Sequence, residues 1–353
     1  HHSKGTCRDG DYHHGWKRRE LMEKRLSRSL QIVLLAGLCL GAVGCEDASK
    51  PEIKRSPEHI DAPSFVADSA YSFIAKQVEF GPRVPNSASH IACGDWIVRE
   101  LRRHGAQVIE QPGRVRAYDG NILTIRNIVG QFRPEASERV MLYAHWDTRP
   151  FADKDTIRMR EPIDGANDGG SGVGVLLEVA RILGQYSLDL GVDIIFFDAE
   201  DYGTPEWEEK GQSNMLTWCL GSQFWVNQPH QVGYQAKYGI LLDMVGAEDA
   251  VFNREGTSVA YAPATVNKVW KAAEKLGFGS YFKNEVTPQT VDDNLFVSEL
   301  GGIPSANIVH YQMQILPMGY GPFHHTHADN MDVISKKTLH AVGSTVLDVL
   351  WND

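Results

Sequence analysis

Two hydrophobic periodicities alternate along the chain from about residue 64. Residues 64–80 and 87–103 place apolar side chains at helical spacing, the second through Ile91, Trp96, Ile97 and Leu101, and predict two helices. Residues 107–111 and 123–129 then read as strands, and 140–143 is almost wholly apolar, the signature of a strand covered on both faces. Residues 172–183 return to helical spacing, 192–197 and 238–242 are further strands, 264–276 is a helix, 303–309 a last strand and 337–350 a closing helix. Strand alternating with helix predicts one α/β domain over 63–353, with a mostly parallel central sheet flanked by helices on both faces. In such sheets ligands gather beyond the carboxyl ends of the strands. The glycine-rich run at 169–174 follows Asn167 and Asp168 rather than a strand, which argues against a phosphate-cradling loop.

Upstream of the domain the pattern changes. Residues 1–21, with His1, His2, His13 and His14, precede a plausible initiator at Met22, show no apolar period and are read as an upstream segment, not a metal site. Residues 22–45 join a basic start to a short apolar run and small residues, which fits a secretory signal better than a membrane span of about 20 apolar residues. Ala42-Val43-Gly44-Cys45 resembles a bacterial lipoprotein box, which implies acylation at Cys45 and a bacterial cell-envelope location. Residues 46–62 are polar and proline-punctuated and predict a tether. Membrane contact is expected only through Cys45, and the body is expected to be a monomer.

Composition narrows the chemistry. The formal net charge is −10, which argues against nucleic acid as a partner, since phosphate binding needs clustered Lys and Arg. Of five cysteines only Cys93 and Cys219 belong to the domain, and their pairing is open. No Cys-x-x-Cys spacing is present, so a thiolate zinc site is not expected.

Each apolar strand is followed at once by residues that bind hard or borderline cations. His145-Trp146-Asp147 follows one, Asp198-Ala199-Glu200-Asp201 the next and Asp243 a third, while Asp168 precedes a helix and His325-Thr326-His327-Ala328-Asp329 lies in a late loop. Imidazole and carboxylate without thiolate suit catalytic zinc with one position open to substrate. The doubled acid Glu200-Asp201 lets one carboxylate hold metal while its neighbour acts as general acid and base. Taken singly each has a plainer reading: Asp168 as a helix N-cap, Asp198 as a strand-end cap, Asp147 as a carboxylate orienting His145, and His327 as a bystander. Five such groups at successive strand ends favour a metal centre.

The spacing of His145, Asp147, Asp168, Glu200-Asp201, Asp243 and His325-Thr326, followed by Asp329 and Asp332, resembles the zinc-dependent aminopeptidase-like fold, a zinc-exopeptidase-like single domain, from about residue 65 to 353. Within it, segments 165–168, 196–201, 241–247 and the Asp292-Asp293 pair resemble the glutaminyl-peptide cyclotransferases, the animal-type glutaminyl cyclases. That resemblance implies a partner class of peptides or proteins with N-terminal glutamine, converted to pyroglutamate with release of ammonia. It further implies one zinc held by Asp168, Asp201 and His325, with Glu200 as general acid and base, Asp243 and Asp292 in its hydrogen-bond network, and Trp218 lining the pocket. The chain departs from that family with Asp201 where Glu is usual, Asn294 and Asn307 in place of His, and His324 in place of a pocket Trp. A two-zinc aminopeptidase would use His145, Asp168, Asp201, Asp243 and His325, all present. The 241–247 segment, the Asp292-Asp293 pair and the 202–220 insertion carrying Trp218 favour the cyclase. A non-catalytic binding lipoprotein is a third reading, but it predicts loss of Glu200 or of a ligand, and neither is lost.

Overall fold

The computed structural model describes residues 59–208, 214–313 and 319–353. The upstream segment, the leader with Cys45 and most of the expected tether lie outside the described residues. Residues 58–353 form one compact unit. Its chain is held early: the Ile60 amide donates to Asn352 Oδ1 at 2.9 Å, and Asn352 Nδ2 returns a bond to the Ile60 carbonyl at 3.0 Å. The last residues of the expected tether, 46–62, therefore already pack on the domain.

Helices α1 (Ala67–Glu79) and α2 (Ala88–Arg103) lead into the hairpin β1 (Gln107–Arg116) and β2 (Ile122–Phe132). Next come β3 (Arg139–His145), α3 (Gly170–Leu183), β4 (Gly191–Phe197), α4 (Leu220–Asn227) and β5 (Gly239–Asp243). The remainder is β6 (Phe252–Arg254), α5 (Gly256–Tyr261), α6 (Pro263–Lys275), β7 (Phe282–Val286), α7 (Asp293–Glu299), β8 (Ser305–Val309) and α8 (Lys336–Trp351). The main sheet has the order β1-β2-β4-β3-β5-β8, with β4, β3, β5 and β8 mutually parallel and β2 antiparallel to both its neighbours.

Alternate residues of the inner strands feed two separate cores. Val140, Leu142, Ala144, Val192, Ile194, Phe196, Ile240 and Leu242 pack under α1, α3 and α8. Met141, Tyr143, Ile195, Phe197 and Leu241 pack with Trp225 of α4 and Val297 of α7 on the other face. This two-sided burial is why these strands show no polar alternation.

The expected helices and main strands are present with shifted ends, and four details correct or extend that reading. Ile91 is 56% exposed and not on the core stripe; six residues from Ile97, it sits about 120° around the helix. Residues 107–111 are only the first half of β1, because Pro112 and Gly113 continue an edge strand that does not need every amide. The short α4, α5 and α7 escape the sequence reading, as does the parallel pair β6–β7. Finally, the glycine run serves packing: a Cβ on Gly172 would overlap the Leu242 carbonyl and one on Gly169 the His145 carbonyl, so α3 lies directly against the sheet. Cys93 and Cys219 are both buried and unpaired.

Topology places the functional centre. From β3 the chain crosses through α3 to β4 on one side, then returns past β3 to β5 on the other. The connections thus diverge at the carboxyl end of β3, where an open α/β sheet forms its crevice.

Candidate active site

Side chains from three strand ends and the loops around them meet in that crevice, around a cavity of about 350 Å³. Asp168 is central. Its Oδ1 lies 3.0 Å from His145 Nε2, which is itself 3.3 Å from Asp243 Oδ1. Its Oδ2 lies 3.6 Å from His325 Nε2, and the same imidazole nitrogen is 3.1 Å from Asp201 Oδ1. The three residues implied as metal ligands, Asp168, Asp201 and His325, are therefore brought together. Among the described residues, three groups have donor atoms within 4.8 Å of one another: Asp168 with His324 and His325, His145 with Asp168 and Asp243, and Glu200 with Cys219 and Asp292.

A set of buried supports holds these groups. Asp329 accepts from the Asn167 amide at 2.7 Å and the Asp168 amide at 3.0 Å, while Arg83 donates to the carbonyls of Asp164 and Gly165. Asp168 does not act as a helix cap; the residue at the start of α3 is Gly169. Asp147 accepts from the amides of Glu200 at 3.0 Å and Asp201 at 3.1 Å, and lies 3.4 Å from His145 Nδ1, so it shapes the turn as well as orienting the imidazole. Asp153 lies 3.6 Å from His325 Nδ1 and is held by Arg149 Nε at 2.7 Å. A carboxylate behind the far nitrogen of an imidazole fixes its tautomer and leaves Nε2 free for a cation. Ala199, Cys219, Met244 and His325 all adopt left-handed backbone, with φ of 52°, 56°, 49° and 57°. Such conformations persist only where the surroundings over-determine them, and they cluster at functional sites.

The carboxylates titrate as a crowd. Burial drives the Glu200 carboxyl well above its ordinary range; nearby His145 opposes this, and Asp201, Asp292 and Asp293 reinforce it. Burial and Asp243 do the same to Asp292, and burial and Asp168 to Asp201. Asp243 is also raised, by burial first. Burial works against a charged His145, but its bonds to Asp147, Asp168 and Asp243 outweigh it and hold the imidazolium well above its usual range. Glu200 Oε1 accepts from the Cys219 thiol at 3.2 Å; Asp292 accepts from the Asp293 amide at 2.6 Å and from Asn307 Nδ2 at 2.7 Å.

The donor set fits a divalent cation. Asp201 Oδ2 is buried without a hydrogen-bond partner, and neutral nitrogen and carboxylate oxygen are the ligands zinc takes in catalytic sites.

Several sequence expectations are redistributed. Trp218 lines the cavity, stacked on His325 at 6.0 Å between ring centres and covered by the Arg149 guanidinium at 4.6 Å. Asp198 faces away from the cavity and binds His90 Nε2 at 2.8 Å. His327 donates its amide to Asp155 and is no part of the metal groups, and Asp332 is exposed. Asn294 turns to Glu255 and Ser258. Asp293 bonds Ser222. Sequence reasoning missed Arg149, Asp153 and Lys154; the charged run just after Asp147 was the available signal. It also missed Tyr320, for which no signal existed, and the contact of Cys219 with Glu200.

An α/β sheet carrying buried Asp, Glu and His at its carboxyl edge defines a zinc-exopeptidase-like enzyme fold. The chain belongs to peptidase family M28, whose model matches residues 127–350. It is 50% identical to the solved glutaminyl cyclase of Bacteroides thetaiotaomicron bound to N-acetylhistamine, over 83% of this chain and 99% of that one, with a TM-score of 0.80. The glutaminyl cyclase of Tannerella forsythia is 51% identical over 82% of this chain and all of that one, also at 0.80. A solved leucine aminopeptidase precursor from Bacteroides thetaiotaomicron VPI-5482 is 50% identical over 83% of this chain and 99% of that one, at 0.79. Aminopeptidase YwaD of Bacillus subtilis (strain 168) is 30% identical over 239 residues, 65% of this chain but only 44% of that protein.

Proposed function

We propose that the chain is a zinc-dependent glutaminyl-peptide cyclotransferase, closing N-terminal glutamine of peptides and proteins to pyroglutamate. The observation that carries this reading is the meeting of two groups in one crevice: Asp168, Asp201 and His325 as a cation set, and Glu200, Asp243 and Asp292 as adjoining acids with raised pKa. Likeness to glutaminyl cyclases over nearly their whole length supports it.

Asp168, Asp201 and His325 would hold the zinc, which would supply Lewis-acid chemistry to the amide when bound. The substrate's own α-amine attacks the γ-carbon, a C–N bond forms, and the bond to the amide nitrogen breaks. Both groups belong to one residue, so positioning supplies much of the rate. Trp218 walls the cavity and orients the glutamine side chain. Glu200 accepts a proton from the attacking amine and delivers it to the amide nitrogen, which leaves as ammonia. Asp243 and Asp292 share protons with Glu200 and keep it able to accept and donate within one turnover.

One zinc is the number the cyclase resemblance implies, although His145, Asp168 and Asp243 also have donor atoms close enough for a second ion. The rival reading, an aminopeptidase, places a second zinc on His145 and Asp243 and draws on the leucine aminopeptidase precursor. Incubating the protein with Gln-initiated, N-acetyl-Gln-initiated and Leu-initiated peptides and reading mass distinguishes them. Only the first should lose ammonia, with about one zinc per chain. Steady release of leucine, with about two zinc ions and no loss of ammonia, overturns the cyclase reading.

The run from Met22 to Cys45 supports an exported envelope protein anchored through that cysteine. Cys45→Ser should then leave the membrane fraction or remain unprocessed; a mature-length variant that still fractionates wholly with membranes removes the anchor.

A further inference from the structure

Lys154 and His324 both line the active-site cavity, outside the cation set and the adjoining acids. Lys154 Nζ stands 2.6 Å from His324 Nδ1. An ammonium has donors and no acceptor, so the nitrogen facing it must accept. A protonated imidazole would set an N–H against the ammonium. The neutral ring therefore carries its single proton on Nε2. That nitrogen makes no hydrogen bond among the described residues; Asp168 Oδ2, 3.8 Å away, is outside hydrogen-bonding distance. Two rings pack close to it, Tyr320 at 4.7 Å and His325 at 3.7 Å between ring centres, and Lys154 lies over the Tyr320 ring at 6.0 Å.

We propose that Lys154 fixes His324 as its Nε2–H tautomer, and that this N–H donates to the γ-carbonyl oxygen of the bound glutamine as ring closure puts charge on it. The proposal rests on the cyclase reading. It makes His324 a catalytic residue and Lys154 a positioning residue. His324 then has no lone pair for a cation, so the cluster of Asp168, His324 and His325 contributes two ligands, not three. A fixed donor aimed at a developing oxyanion costs no reorganisation during the reaction, and removing one typically lowers turnover by about 10²-fold or more.

Long-range ¹H–¹⁵N spectra of the zinc-loaded protein with labelled histidine read the tautomer directly, and Nε2–H is expected for His324. His324→Leu should lower kcat by about 10²-fold with KM and zinc content nearly unchanged, while His324→Gln, which keeps an N–H, should recover most of the loss. Lys154→Met should admit the Nδ1–H form and lower kcat without releasing zinc. An Nδ1–H signal in the unsubstituted protein, zinc loss in His324→Leu, or a His324→Leu kcat within about twofold of wild type overturns the proposal. Failure of the unsubstituted protein to cyclise Gln-peptides instead sinks the functional reading, and the spectra and zinc content still decide the tautomer.

Discussion

Glu200 sits where burial and three neighbouring acids act in one direction, so its carboxyl takes up a proton more readily than an isolated glutamate. A proton shuttle needs this state. Glu200→Gln preserves shape and removes the basic oxygen, and should lower ammonia release by about 10²-fold or more while zinc stays bound. Asp292→Asn should slow turnover less, by altering the shared proton, and the double substitution should fall well short of the product of the two losses because the residues act as a unit. Strictly multiplicative losses, or a silent Asp292→Asn, remove Asp292 from the chemistry. Asp168→Ala and His325→Ala should instead lose zinc and activity together, which metal analysis of the purified variants checks.

Elements decide how closely these residues approach. Helix α3 begins two residues after Asp168 and presses on β3 and β5 through its glycines, so the loop that carries the central carboxylate is set by helix-to-sheet distance. Gly172→Ala must push α3 away from the Leu242 carbonyl. It should cost about 1–3 kcal/mol, read as a melting temperature several degrees lower. Gly279 is the contrast: a Cβ there meets nothing within 4 Å, and Gly279→Ala should melt within about a degree or two of wild type. Equal melting of the two variants would show that the close approach is not a real constraint.

For the whole molecule, the buried acids create a pH dependence. Burial pushes the Asp293 carboxyl up to about 7 and Asp329 to about 8, and Glu200, Asp201 and Asp292 are also raised. A carboxyl raised on folding keeps a proton that the unfolded chain gives up, so its stabilisation is full below about pH 4 and is lost as pH climbs through the folded value. His324 and His325, held neutral chiefly by burial, act oppositely, but only below about pH 6.5 where the unfolded imidazole charges. Chelated protein should therefore melt lower at pH 8.5 than at pH 7, and zinc should raise the melting temperature more at the higher pH. Melting that rises with pH after chelation contradicts this arrangement.

Helix and strand order, the sheet class and the line of Asp, Glu and His at strand ends were legible in the sequence, because they depend on local periodicity and on the polar residues that terminate each buried run. The identity of Asp292 and Trp218 as site residues came only through family resemblance, since no local pattern distinguishes them. The tertiary structure decided pairing. Asp329 grips the Asp168 amide across 161 residues, Asp147 shapes the Glu200 turn across 53, and Lys154 meets His324 across 170. Such contacts arise from sheet order and from helices too short to show a period, such as the seven-residue α7 behind Asp292. Hydrogen bonds reach about 3 Å, so which carboxylate supports, which binds and which shuttles a proton is settled only when the strands stand side by side.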